Sequence, residues 1–185
     1  MLEREGEKIV RIAPDGLREG ALLMKPQLAA VVHRTDKSEF RDLGKETDLG
    51  VISREIVSNA FLTILKGALA ADASDYALLK LYKYHEWGTG TAAESASQNQ
   101  CVATATTAHR TASGTLDTGN QGEGSYSYIS VATLVAIDTL SITEHCLHPD
   151  ATPNNTGMDR SLFTAIPLSA NDSITFTYTL NLAGS

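Results

Sequence analysis

Several things are scarce in this chain. It has two cysteines, Cys101 and Cys146, among 185 residues. Two thiols set no disulfide framework at this size, so both are expected to be free and packed as small hydrophobes. Fourteen Gly and five Pro are too few for a collagen-like or low-complexity chain. The longest apolar-rich stretch, Ile129 to Ile137, has about half the ~20 residues that a membrane-spanning helix needs. The opening residues, Met1-Leu2-Glu3-Arg4-Glu5, are charged where a secretory signal would be apolar. Basic charge is short as well. Fifteen Lys and Arg stand against 22 Asp and Glu, giving a net charge of -7 and a pI near 5.2. A surface of that sign repels nucleic acid and anionic lipid, so neither is expected as the main partner. Synthesis and retention in a reducing cytoplasm follow as the expectation.

What is present fits a globular protein: 42% hydrophobic and 20% charged residues. A chain of this size makes one domain and buries roughly 70% of its unfolded surface. Its charge is unevenly spread. Residues 1–100 carry 28 of the 37 charged side chains, and residues 101–185 carry nine, of which two are basic. The second part replaces charge with Thr, Ser, Asn, Gly and alternating apolar residues, a composition that favours extended backbone.

Residues 1–50 predict an extended N-terminal arm. Charges recur every few residues, apolar residues come in small clusters such as Leu22-Leu23-Met24, and Pro14-Asp15-Gly16 signals a turn. Residues 51–185 predict a helix followed by a β-sandwich. Ile52, Ile56, Phe61, Ile64 and Leu65 recur at helical spacing and predict one helix over Val51–Ala70, with Gly67 weakening its last turn. From Tyr76 the period becomes two. Strands are expected over Tyr76–Tyr84, Gln100–Ala108, Tyr126–Ile137, Leu140–Leu147, Leu162–Ile166 and Ser173–Leu182. Asp138-Thr139 reads as a hairpin link and Asn171-Asp172 as a turn. In the last strand Ile174, Phe176, Tyr178, Leu180 and Leu182 share one face, which fixes its register and marks that face as core. The fold class is therefore mainly β, an antiparallel, jelly-roll-like sandwich with one helix and the arm.

The search for chemistry returns little. His145-Cys146-Leu147-His148 is the densest ligand-type cluster. A metal needs three or four converging side chains, and the two histidines, three apart on a strand, face opposite sides; no metal site is expected. Cys146 with His109 or His145 lacks the strained elbow or helix N-terminus that activates a thiol. Tyr84-His85-Glu86-Trp87 offers an acid/base pair whose neighbours point apart on a strand. Gly88-Thr89-Gly90-Thr91 lacks the Gly-Lys-Ser/Thr ending of a phosphate loop. The basic residues Arg34, Lys37 and Arg41 alternate with Asp36, Glu39 and Asp42, which leaves no uncompensated strip for a nucleic acid. No cofactor and no enzymatic constellation are expected.

Four blocks carry a resemblance. They are Lys83-Tyr84-His85 with Gly88-Thr89-Gly90-Thr91-Ala92-Ala93-Glu94-Ser95; Ser130-Val131-Ala132-Thr133 with Ser141-Ile142-Thr143-Glu144-His145; Met158-Asp159-Arg160-Ser161-Leu162-Phe163-Thr164-Ala165-Ile166; and Asn171 to Leu180. In this order and spacing, residues 50–183 resemble a family of tailed-bacteriophage virion proteins. Cys146 stands where that pattern has Gly. The resemblance implies a non-enzymatic structural protein on a β-sandwich, a capsid decoration (cement) protein at the capsid surface with the major capsid protein as partner. It also implies a homo-oligomer, with a trimer suggested by cement sites at local three-fold axes. Leu22, Leu23, Met24, Arg34, Phe40 and Arg41 of the arm are the residues expected to touch the capsid. The other readings are a neck, head–tail junction or tail structural protein, and a surface glycan-binding module using Trp87 and the six Tyr.

Overall fold

Strand β11 (Ser173–Gly184) lies at the middle of a five-stranded antiparallel sheet, and its two faces differ sharply. Ile174, Phe176, Tyr178 and Leu180 are buried, while the threonines between them are half-buried on the other face. On one side it pairs with β3 (Leu22–Arg34), on the other with β8 (Ser127–Val135). Phe176 stands opposite Ala30 and Ala132, two small residues that leave room for its ring. The order is β4-β3-β11-β8-β7, with β4 (Lys45–Arg54) and β7 (Asn120–Gly124) at the edges. A second antiparallel sheet has the order β10-β9-β5-β6, from β10 (Arg160–Leu168), β9 (Leu140–His148), β5 (Tyr84–Gly88) and β6 (Asp117–Thr118). The two sheets pack together as a β-sandwich around one core that includes Leu28, Trp87, Leu134, Leu147, Phe163 and Phe176. Strands β1 (Leu2–Glu5) and β2 (Lys8–Arg11) form a separate two-stranded ribbon. This computed structural model describes residues 2–5, 8–11, 22–35, 45–54, 56–79, 81–104, 117–118, 120–124, 127–151 and 156–184. Among them no helix is long and apolar enough to cross a membrane.

The mainly β, antiparallel sandwich matches the fold read from the sequence, and several local expectations need correction. The arm does not extend to residue 50. Leu22–Arg34 is an inner strand, with Leu28, Ala30 and Val32 almost wholly buried, and Lys45–Arg54 is its neighbour. Charged residues flanking it obscure this strand, but its alternation of Leu28, Ala30 and Val32 has the strand period. The expected helix over Val51–Ala70 is shorter. Helix α1 is Asn59–Leu69, because Ser58 caps it by accepting a hydrogen bond from the Phe61 amide at 3.0 Å. Residues before the cap are claimed by pairing with β3. A second helix, α2 (Ala73–Leu79), replaces the first part of the strand expected over Tyr76–Tyr84, and Tyr84 begins β5. Asp72 starts it by accepting hydrogen bonds from the Ser74 amide and hydroxyl. Gly67 permits the contact between the helices, since a Cβ there would fall on the Asp75 carboxylate.

The link at Asp138-Thr139 is not a hairpin. It carries the chain from β8 in one sheet to β9 in the other. Asn171, with φ +71°, turns the chain back from β10 to β11, a conformation Asn tolerates well. Of the strand expected over Gln100–Ala108, Thr104 makes one isolated bridge to Gly88, and residues 105–108 lie outside the described part.

Two measurements test this arrangement. Removing residues 1–20 should leave one cooperative thermal transition near that of the full chain, whereas removing residues 1–34 should abolish it. Phe176→Ala should cost about 3–5 kcal/mol in denaturant unfolding, the usual range for emptying a buried aromatic site.

Candidate functional site

Strands β5, β9 and β10 hold an unusual number of polar residues for a sandwich interior. His85, Glu86, Glu144, His145, His148, Asp159, Arg160 and Ser161 are all at most 2% exposed. The register explains how they divide. Glu86 faces Cys146, Tyr84 faces His148, Gly88 faces Glu144, and Arg160 stands on the far side of Cys146. Cross-strand partners share a face. Glu86, Glu144, Cys146, His148 and Arg160 therefore point to one side, where the segment 89–104 crosses. Trp87 faces His145, and Ser161 faces His145 from β10. This second set points into the sandwich, where the His145 ring lies 4.8 Å from that of Phe176.

On the first side Glu144 binds the crossing segment. Its Oε1 accepts from the amides of Gly90 and Ala103, both at 2.7 Å, and its Oε2 from the Val102 amide at 2.9 Å. Arg160 Nε completes the set at 2.7 Å. The guanidinium also donates through Nη1 to the Ala92 carbonyl at 2.8 Å and to Gln98 Oε1 at 3.0 Å. Glu86 repeats the pattern beside it. It accepts from the Cys101 amide at 2.8 Å, from His148 Nε2 at 2.8 Å and from the Thr104 hydroxyl. The backbone comes so close that a Cβ at Gly90 would lie 2.4 Å from Glu144 Oε1, which accounts for a glycine there.

Burial and these bonds set the charges. Burial pushes the Glu86 carboxyl up, but the bonds from His148, Thr104 and the Cys101 amide outweigh it and hold the group below the usual range. Burial pushes the thiols of Cys101 and Cys146 up, and the neighbouring Glu86 charge adds to this. On the inner side burial drives His85 down to about 3 and His145 down as well. Both rings are neutral, with one proton shared between His85 Nδ1 and His145 Nε2 across 2.8 Å. His85 Nε2 reaches the Ser130 hydroxyl at 2.9 Å and so ties the two sheets together. Burial also raises Asp159, whose carboxyl neither oxygen pairs in ordinary geometry.

A nucleophilic thiol needs a lowered pKa and access, and both thiols here are buried and protonated. Cys146 and His145 occupy opposite faces of β9, as the sequence spacing implies for neighbours. His109 lies outside the described residues. Trp87 is wholly buried, so it cannot stack on a sugar ring, and the glycan reading loses its main support.

Of the residues expected to touch a capsid, the side chains of Met24 and Arg34 are the ones described. Leu22 and Leu23 pair through their backbone with Gly184 and Ala183, and their side chains lie outside the described part. Met24 is half-buried against the chain's own core. Arg34 donates to Asp172 at 2.8 Å and to the Pro167 carbonyl at 2.5 Å. Phe40 and Arg41 lie outside the described residues. Asp172 is itself a hub. Burial raises its carboxyl, yet bonds from the Ser169 and Thr35 amides and from Arg34 outweigh that and hold it below the ordinary range.

Sequence reasoning missed the roles of Glu144, Glu86 and Arg160. The available signal was a charged residue on a strand whose period-two neighbours are apolar. It also weighed His145 against His148 and passed over Cys146 and His148, two apart and on one face. One ligand atom from each of Glu86, Cys146 and His148 lies within 4.8 Å of the others. No protein-family model, curated protein or solved structure matches the chain.

Arg160→Met should destabilise the protein by about 3–5 kcal/mol, because it leaves Glu144 buried without its cation. Hydrogen exchange should speed up at the amides of Gly90, Val102 and Ala103. A loss within about 0.5 kcal/mol, typical of an ordinary surface change, would show that the ion pair holds nothing.

Proposed function

We propose that this chain is a non-enzymatic structural protein of a tailed-bacteriophage virion, and within it a capsid decoration (cement) protein bridging major capsid subunits. One observation carries the reading beyond a list of similar blocks. Three blocks that resemble such proteins lie far apart in sequence and meet in the buried network. His85, Gly88 and Gly90 come from the first, Glu144 and His145 from the second, and Asp159, Arg160 and Ser161 from the third. Sequence features that converge on holding a shape, and not on an open cleft, favour a role in assembly. The acidic, Thr/Ser-rich sandwich suits the outside of a particle, where its copies are repeated and multivalent.

In this proposal the arm is confined to what precedes β3. In this reading residues 1–21 make the contact with a neighbouring subunit, and the sandwich presents them.

The test is particle composition. Particles purified from cells carrying the gene should contain the chain at hundreds of copies, measured by quantitative mass spectrometry against the major capsid protein. A few to dozens of copies would move it to the neck or tail. Absence from particles would overturn the virion reading. Particles lacking the chain should bind the purified full-length protein and not the form without residues 1–20. Equal binding by both forms would reject the arm as the contact.

A further inference from the structure

We propose that Glu86, Cys146 and His148, with Cys101 as the fourth donor, form a buried zinc site that pins the segment 89–104 to the four-stranded sheet. The inference is independent of the virion reading. Its first support is geometric. A carboxylate oxygen, a thiol sulfur and a ring nitrogen from two adjacent strands stand within 4.8 Å of one another. Zinc bonds of about 2.0–2.3 Å put neighbouring ligand atoms somewhat over 3 Å apart, so small side-chain rotations close the set. Register fixes the directions. Cys146 and His148 are alternate residues of β9, and Glu86 lies directly opposite Cys146.

The second support is the use of cysteine. The chain has two, both are free and buried, and Cys101 lies on the covering segment, whose backbone Glu86 holds. The Cys101 amide donates to Glu86 Oε2 at 2.8 Å, and the Cys101 thiol feels the charges of Glu86 and Cys146. The third support is His148 Nδ1, a buried ring nitrogen without a hydrogen-bond partner. It can keep the imidazole proton while Nε2 turns from Glu86 to a metal. Two sulfurs, one nitrogen and one oxygen form a donor set that suits tetrahedral Zn2+ and disfavours the oxygen-seeking Mg2+ and Ca2+.

The proton balance is simple. Without metal, the Cys146 thiol donates to the Asp159 carbonyl, and one proton lies between His148 and Glu86. Binding Zn2+ releases one proton from each thiol to solvent. The proton of the His148–Glu86 hydrogen bond moves from Nε2 to Nδ1, which frees Nε2 and the Glu86 carboxylate to bind the metal. The site has no open coordination position, so its role is structural and its metal is acquired during folding.

The test uses the full chain expressed with added zinc and purified without chelator. Elemental mass spectrometry should find one zinc per chain. Cys146→Ser and Cys101→Ser should each bring it to background while keeping the thermal transition of a folded protein. Refolding the metal-free chain with Co2+ should give the thiolate-to-cobalt charge-transfer band, and the double Cys101→Ser/Cys146→Ser chain should lack it. Should Cys146→Ser fail to fold, Cys101→Ser alone decides, since Cys101 sits on the covering segment. A folded wild-type chain without zinc and without the cobalt band overturns the proposal. So does zinc retained at full stoichiometry after loss of either thiol.

Discussion

A single buried carboxylate organises one side of this molecule. Glu144 collects four donors, three of them backbone amides from the segment 89–104 and the fourth the Arg160 guanidinium. Taking a carboxylate out of water costs several kcal/mol. Amides of a covering segment that joins no continuous ladder also need acceptors once buried. Each problem resolves the other. The segment can be buried because an anion receives its amides, and the anion can be buried because the segment supplies them. Glu86 repeats the exchange with the Cys101 amide and Thr104.

This arrangement selects one conformation more than it adds stability. A buried ion pair is often no better than an apolar replacement of the same volume. An apolar pair at Glu144 and Arg160 would fill the space but accept no amides. The cost of losing the network would thus fall on the path of residues 89–104, while the core around Phe176 would remain. The inner histidines work differently. His85 and His145 are neutral and join a sheet–sheet hydrogen-bond chain ending at Ser130. The two sides of the same three strands therefore hold a charged clamp and an uncharged seam, separated only by the alternation of the backbone.

The fold was legible where one period dominated. In β11, Ile174 to Leu180 alternates without interruption with threonine, and no other element fits that pattern. Elsewhere two periods overlapped. Ile52 and Ile56 fit a helix, but the partner strand β3 claimed residues through Arg54, and the Ser58 cap set where α1 begins. Leu22–Arg34 was hidden by its charged neighbours, although Leu28, Ala30 and Val32 carry the strand period. The pairing of sheets was not legible at Asp138-Thr139, because a short link joins hairpins and sheet crossings alike. The buried network was present only as fragments. Glu144 reads as a surface residue until the segment covering it is known, and nothing local in a sequence states what will cover a strand.

The same clamp bears on how the chain would serve an assembly. In the proposed role residues 1–21 make the contact, and the sandwich that presents them must hold its shape under load, with little further entropy to lose on binding. Here residues 89–104 are tied at Gly90, Ala92, Gln98, Cys101, Val102, Ala103 and Thr104 to the side chains of Glu86, Glu144 and Arg160, and Thr143 adds a bond to the Gly90 carbonyl. Those ties span adjacent strands of one sheet, so pulling on the segment loads β5, β9 and β10 together. Force on one short loop then spreads across several ladders before any single hydrogen bond carries it. For a protein proposed to hold subunits together against internal pressure, that distribution matters more than the strength of any one bond.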